Sequence, residues 1–260
     1  EFETSLASVA GTAHAVAVNS GTSALHLIVR ALGLGRGDEV ITTPFSFIAS
    51  ANCLLFEGVR PVFVDIRDDT CNIDTTRIEG AITPRTRAIL AVDAFGQPAE
   101  LDTLREIARR HRLSFIEDSC EALGSEWKGR RCGGWGDAGA FAFYPNKQIT
   151  TGEGGCIVTN SDELARLCHS MRNQGRGETD DWLGHERLGY NYRISDINCA
   201  LGSSQLQRLD SIIERRAQVA AWYNVRLNRV HGVIIPWIAP DVTRMSWFVY
   251  VVRLAGWFSM

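Results

Sequence analysis

The sequence has no Cys-x-x-Cys pair, no apolar run long enough to span a bilayer, and no large excess of charge of either sign. Its seven cysteines are scattered, which is typical of free thiols in a reducing compartment and not of a disulfide framework or a zinc site. The net charge of −3 gives no reason to expect nucleic acid or a membrane as partner. The start, Glu1–Ser5, is too polar and charged for a signal peptide, so we expect a cytoplasmic protein.

The length of 260 residues is enough for one large domain and part of a second. Apolar residues make up 45% of the chain and charged residues 22%, as in ordinary soluble globular proteins. The first residue is not Met, and the chain ends soon after a strand-like run, Trp247–Leu254. Both ends are therefore expected to be cut.

Short runs of β-forming residues alternate with amphipathic helical runs such as Leu101–His111. The predicted strands are His14–Val18, Glu39–Thr42, Pro61–Asp65, Ala88–Val92, Leu113–Ile116, Ala138–Phe143 and Cys156–Val158. Strands that alternate with helices predict an α/β fold with a mostly parallel sheet.

The pattern changes after Ser195. It is helical almost to Val230, and the stretch Val233–Leu254 is rich in β-formers. We therefore expect a large domain over 1–208, followed by a connecting helix and an incomplete smaller domain over 209–260.

The densest chemical signal is the stretch Phe141–Gly155, in which a strand delivers Lys147 into a turn rich in Gly and Thr. A lysine on a rigid junction, crowded by aromatic residues, is a candidate nucleophile toward a carbonyl. A plain surface-loop lysine is the alternative.

Asp118 ends an apolar strand-like run. Ligands of open α/β sheets sit beyond the carboxyl ends of the strands, where a carboxylate can pair with a pyridinium nitrogen and keep it protonated. A helix-capping role is the alternative.

The turn Asn19–Leu25 joins a predicted strand to a predicted helix. The amides of that helix start, the Thr22 and Ser23 hydroxyls and the flexible Gly21 predict a phosphate cradle, although a plain N-cap has the same residue types. Phe47 is a candidate to stack on a flat ring, or else belongs to the core.

Together the cradle, the aromatic residue, the strand-end acid and the lysine resemble the DegT/DnrJ/EryC1/StrS family of sugar aminotransferases, which are fold type I pyridoxal-phosphate (PLP) enzymes. The resemblance covers nearly the whole chain and rests on several motifs in the right order. These motifs are Asn19–Leu25, Glu117–Gly124, Phe143–Gly155 and Gly189–Asp196.

The resemblance implies a three-layer α/β/α large domain and assigns roles residue by residue. Lys147 matches the lysine that forms the Schiff base with PLP, and Asp118 matches the partner of the pyridinium nitrogen. Gly21, Thr22 and Ser23 match the phosphate-binding residues, and Phe47 matches the residue that covers the ring.

Asn191 matches an asparagine that reaches the phosphate of the neighbouring subunit's PLP, so a homodimer with shared active sites is implied. For Asn191 and Arg193, entry into the helix after Ser195 is the alternative role. The implied substrates are L-glutamate and a keto-sugar nucleotide. The stretch Thr150–Gly155 favours amination at C4 of the sugar over C3.

Two positions depart from the family pattern. Ala142 stands where a serine often contacts the phosphate. Glu121 stands where Gln or His is usual, next to the cofactor ring, where an acid alters substrate choice or forms a local ion pair.

Three other functions are alternatives. A dinucleotide-binding oxidoreductase needs Gly-x-Gly-x-x-Gly between a strand and a helix, whereas Gly33–Gly37 follows a helix. The second alternative is a PLP-dependent sugar dehydratase. Relatives that resemble this type have a histidine in place of the lysine, so Lys147 argues against it. A truncated homologue that binds PLP without turnover remains the non-enzymatic alternative.

Overall fold

The computed structural model describes residues 1–177 and 184–256. In these ranges the α-helices are α1 (Phe2–Ala10), α2 (Gly21–Ala31), α3 (Ala49–Phe56), α4 (Ile78–Ala81), α5 (Leu101–His111), α6 (Asp162–Arg172), α7 (Asp196–Leu206) and α8 (Leu209–Leu227). The strands are β1 (His14–Val18), β2 (Glu39–Thr42), β3 (Arg60–Phe63), β4 (Thr86–Val92), β5 (Ser114–Asp118), β6 (Glu126–Trp127), β7 (Arg130–Arg131), β8 (Ala138–Ala142), β9 (Gly155–Thr159), β10 (Val233–Ile234), β11 (Val242–Arg244) and β12 (Arg253–Leu254). Short 3-10 helices lie at Thr75–Arg77 and Ala94–Gly96.

The large sheet contains seven strands in the order β1-β9-β8-β5-β4-β2-β3. Every neighbouring pair from β8 to β3 is parallel, and β9 is antiparallel to both of its neighbours, β1 and β8. The sheet is therefore mostly parallel, as the alternating pattern predicts.

Alternate residues of the central strands enter apolar clusters on opposite faces of the sheet. In β4, Leu90 and Val92 pack with residues of α2 and α3, whereas Ile89 and Ala91 pack with residues of α5. A period of two is that of a strand buried on both faces. At the β8–β9 end, Phe141 packs with residues of α1, α7 and α8. The result is the expected three-layer α/β/α arrangement.

The carboxyl ends of β4, β5 and β8 meet at one edge of the sheet, because Val92 pairs with Asp118 and Asp118 with Ala140. The start of α2 reaches the same edge, since β1 and β8 both pair with Gly155 of β9. A Cβ at position 155 would lie 2.4 Å from the backbone carbonyl atoms of Ser20. Glycine at 155 therefore lets the α2 start approach β8.

Helix α5 has the predicted bounds, and the predicted strands of the sheet lie within two residues of the observed ones. The helical pattern after Ser195 is two helices, α7 and α8, which a turn at Gln207–Arg208 separates. The apolar periodicity continues across that turn, so the pattern resembles one helix. Helices α1, α3, α4 and α6 match no helix that the sequence pattern individually predicts.

The predicted strand Trp247–Leu254 is wrong over most of its length. Within this run only Arg253–Leu254 forms a strand, which pairs with β10. Trp247 has a left-handed φ of 53°, which interrupts an extended backbone. The three-stranded sheet β11-β6-β7 joins the C-terminal region to the hairpin after β5. A domain boundary at residue 208 stays a prediction.

Among the helices of the described residues, none has the length and apolar character needed to cross a membrane.

Candidate active site

A cavity of about 700 Å³ opens at the carboxyl ends of β4, β5 and β8. Most of the side chains singled out from the sequence line it, namely Gly21, Thr22, Phe47, Asp118, Glu121 and Lys147. Ala142 also lines it, at the position where the family often has a serine. The fold therefore brings three of the four family motifs, together with Phe47, to one pocket.

Lys147 lies in the loop between β8 and β9, and its side chain is only 13% exposed. Its Nζ lies 3.6 Å from Glu121 Oε1 and 4.2 Å from the centre of the Phe248 ring. The Lys147 amide donates a hydrogen bond to Tyr144 O at 2.9 Å. A primary amine is thus held at the pocket wall between an acid and an aromatic ring.

Asp118 is the last residue of β5 and is 6% exposed. Its Oδ2 accepts a hydrogen bond from Ser50 Oγ at 2.5 Å, and its Oδ1 accepts one from the Cys120 amide at 3.3 Å. Ser50 in turn bonds Ser46 Oγ at 2.7 Å. A chain of hydroxyl groups on the α3 side therefore orients the carboxylate, and the Ser46 end of that chain lines the pocket.

The N-terminus of α2 forms the other end of the pocket. Ser20 is its N-cap, and Ser20 Oγ accepts a hydrogen bond from the Ser23 amide at 3.1 Å. The Ser23 hydroxyl accepts from Ser20 Oγ at 3.0 Å, and Ser23 is not among the residues that line the cavity. Gly21 and Thr22 do line it, so the N-terminus of α2, which carries the positive end of the helix dipole, borders the pocket.

Aromatic side chains form one wall. Phe47 lines the cavity and is 74% exposed. Phe45 lies two residues earlier and meets the edge of Phe95, with ring centres 5.8 Å apart. Flat apolar surface is therefore available beside Lys147 and Asp118.

Glu121 links this wall to the lysine. Its Oε2 accepts a hydrogen bond from the Phe95 amide at 2.8 Å, while Oε1 faces Lys147. Phe95 has a φ of 60°, which is uncommon for a bulky residue, so this bond helps to hold a strained turn. Burial raises the pKa of the Glu121 carboxyl, and the Lys147 charge opposes that rise.

Asn191 lies outside the pocket. It is exposed, and it pairs with Asn173 in an isolated β-bridge. Arg193 donates a hydrogen bond to Asn173 Oδ1 at 2.9 Å, and Ser195 caps α7. Within one chain, the sequence-predicted residue Asn191 therefore contributes nothing to the pocket that holds Lys147.

A larger cavity of about 880 Å³ lies between α1, α6 and α7. Glu3 and Arg172, which line it, pair with each other at 2.5 Å. Neither Lys147 nor Asp118 lines this cavity, so we place the candidate active site in the smaller one.

The smaller pocket fits PLP. An anionic phosphate suits the amides at the N-terminus of α2, which is 11 residues long. A pyridinium nitrogen suits the buried Asp118 carboxylate, and an aldehyde suits the Lys147 amine. All three groups line one cavity, with an aromatic wall for the ring.

Several residues of the site escaped sequence reasoning. Ser50 and Phe45 lie within three residues of Phe47, so the clustering of aromatic and hydroxyl residues around Phe47 is the available signal. Phe95 and Phe248 carry no local signal, because their positions depend on contacts far along the chain.

The chain matches the DegT/DnrJ/EryC1/StrS aminotransferase family over residues 1–257. It is 43% identical over 255 residues to the GDP-perosamine synthase of Caulobacter vibrioides, an alignment that covers 98% of this chain and 68% of that protein. The chain thus spans about two thirds of the length of this relative.

Solved structures of similar proteins have the same fold. DesV of S. venezuelae, crystallised with a ketimine intermediate, has a TM-score of 0.93 and 41% identity, and the match covers 97% of this chain and 67% of DesV. The ntda protein of Bacillus subtilis, with its bound cofactor PMP, has a TM-score of 0.89 and 30% identity, and the match covers 97% of this chain and 57% of that one.

Proposed function

Because the chain belongs to the DegT/DnrJ/EryC1/StrS aminotransferase family of PLP-dependent sugar aminotransferases, we propose that it transfers an amino group from L-glutamate to C4 of a keto-sugar nucleotide. We further propose Lys147 and Asp118 as its catalytic residues. Gly21, Thr22, Phe47 and Glu121 would hold the cofactor.

One observation carries the proposed roles. A partly buried amine, a buried carboxylate and a helix N-terminus line the same cavity of about 700 Å³. Lys147 comes from the loop after β8, and Asp118 is the last residue of the neighbouring strand β5. In this arrangement Lys147 would hold the aldehyde end of the cofactor and Asp118 its ring nitrogen.

When bound, PLP supplies an aldehyde that condenses with amines and a ring that withdraws electrons from the reacting carbon. The residues of this chain would bind and orient the cofactor and would move protons. The α2 amides hold the phosphate, and Asp118, oriented by Ser50, holds the proton on the ring nitrogen. Lys147 Nζ serves as the general acid and base that carries a proton at the substrate carbon.

The aromatic wall and Glu121 have supporting roles. Phe47 and Phe45 exclude water from one face of the ring. Glu121, 3.6 Å from Lys147, keeps the amine directed into the pocket whenever that amine is free.

We also propose a homodimer in which Asn191 completes the partner's pocket. Asn191 is exposed and is not among the residues that line the pocket of its own chain, and both observations support this proposal. Mixing Lys147→Ala subunits with Asn191→Ala subunits should restore activity, because one pocket of each mixed dimer carries neither change. Mixed dimers that form without regaining activity would contradict the shared site.

The substrate assignment is tested by purified enzyme, PLP and amino donors. L-Glutamate should react with bound PLP in a half-reaction that changes the absorbance of the cofactor. Other amino acids should cause this change more slowly. A panel of keto-sugar nucleotides then identifies the acceptor, and NMR of the product identifies the carbon. A product aminated at C3 would overturn the C4 assignment, and the absence of any half-reaction would overturn the proposed function.

A further inference from the structure

Residues 246–248 lie next to the pocket, which Phe248 lines, and hydrogen bonds connect them to the active-site loops. Ser246 is fully buried, and its amide donates a hydrogen bond to Ser125 Oγ at 3.0 Å. The Phe248 amide donates to Phe95 O at 3.2 Å. The Phe248 ring lies over Lys147 Nζ, as described above. The segment therefore sets one wall around the lysine.

Arg216 of helix α8 joins this segment to the lysine loop. Its guanidinium donates to Trp247 O at 2.9 Å, to Phe248 O at 3.0 Å and to Lys147 O at 3.1 Å. All of these acceptors are backbone carbonyls. Within residues 1–177 and 184–256, the structure gives Arg216 no carboxylate partner.

Arg216 lies on the inward side of its helix. Leu209, Ile213 and Ala220 are the buried residues of α8, and position 216 continues their helical spacing. A guanidinium on a packed helix face loses hydration, so it needs acceptors there. Its planar fork can bind several carbonyls at once, which a lysine ammonium cannot do in a fixed geometry.

A second set of hydrogen bonds, made by Gln148, connects the same segments. Gln148, which is 3% exposed, donates through Nε2 to Ser246 Oγ at 2.8 Å and also to Glu121 O. The loop of Lys147, the loop of Glu121 and the 246–248 segment thus form one connected unit. Arg216 is the member of that unit that comes from a long helix.

We propose that Arg216 is a positioning residue for Lys147, which it fixes through the Lys147 carbonyl while it holds Phe248 against the amine. Fixing both at once sets the direction in which Nζ enters the pocket. The catalytic importance of that direction rests on the proposed function. The clamp itself is a property of the PLP-free chain.

Hydrogen exchange of the PLP-free protein tests the clamp directly. Arg216→Met should speed amide exchange by about tenfold or more in peptides over 143–150 and 246–252, while peptides from the sheet change little. Arg215→Met is the matched control, because Arg215 is the exposed neighbour on the same helix. Arg216→Lys should give an intermediate increase in both peptides.

The loaded enzyme supplies the second readout. Arg216→Met should still bind PLP and should lower kcat by about tenfold or more with a smaller change in KM for glutamate, since Lys147 is misdirected while the donor site is kept. Unchanged exchange in both peptides, or equal acceleration in every peptide, would overturn the positioning role. If Arg216→Met does not fold, the comparison of Arg216→Lys with Arg215→Lys decides the same question.

Failure of the proposed function has a different signature. A wild-type protein that shows no half-reaction with glutamate contradicts the aminotransferase assignment, whatever the exchange pattern of the variants. A wild-type protein that reacts, together with an Arg216→Met variant of the same kcat, contradicts the role of Arg216 alone.

Discussion

Replacing Ser50 with alanine removes the hydroxyl that orients Asp118. The bond to Asp118 Oδ2 is 2.5 Å long, and Ser50 is 1% exposed, so water cannot easily replace it. A hydrogen bond to a charged group contributes about 1.5–3 kcal/mol. Alanine is a better helix former than serine by about 0.5 kcal/mol, which offsets part of that loss. We expect the free energy of unfolding to fall by about 1–2.5 kcal/mol.

Urea unfolding of the PLP-free protein measures this loss. Ser46→Ala is the matched control: Ser46 is exposed and bonds only the outer side of Ser50, so it should cost less than about 1 kcal/mol. In the loaded enzyme, Ser50→Ala should also slow the glutamate half-reaction, because Asp118 keeps only the Cys120 amide. Equal stability and equal rates for the two variants would refute the orienting role of Ser50.

Three further variants address the site and its frame. Asp118→Asn should keep the fold and bind PLP, but slow the half-reaction by about 100-fold or more, since the ring nitrogen loses its anionic partner; a rate near that of the wild type would contradict this. Gly155→Ala should lower the free energy of unfolding by about 3 kcal/mol, because the new Cβ would meet the Ser20 carbonyl at 2.4 Å; an unchanged urea midpoint would show that the backbones can separate. Burial raises the pKa of Asp93, so the folded chain binds that proton more tightly than the unfolded chain, and stability falls as pH rises above about 4. Asp93→Asn should flatten this decline between about pH 4 and about pH 6, measured by urea titration at each pH; an unaltered slope would assign the decline to other groups.

The parts of the fold with a local pattern could be predicted from the sequence. The strand-to-helix order indicates the layered sheet, and Leu101–His111 has a clear apolar stripe with the observed bounds. Lys147, Asp118 and Gly21 stand beside turns and strand ends, so their convergence follows from the rule for parallel sheets. These features depend on residues a few positions apart.

Features that depend on distant contacts could not be predicted. Ser50 meets Asp118 across 68 positions of the chain, and Arg216 meets Lys147 across 69. The run from Trp247 has the composition of a strand, but its carbonyls bind Arg216 and the Phe248 amide binds Phe95. Tertiary hydrogen bonds therefore override the local β-propensity there.

Covalent trapping of the cofactor tests the central claim most directly. The protein is loaded with PLP, reduced with borohydride, digested, and the labelled peptide is identified by mass spectrometry. We expect a single label on Lys147, and no label after Lys147→Ala. The control is Lys128→Ala, which changes an exposed lysine paired with Asp102 and should be labelled as the wild type is. A label on any other lysine, or a label that survives Lys147→Ala, would contradict the assignment of this pocket as the active site.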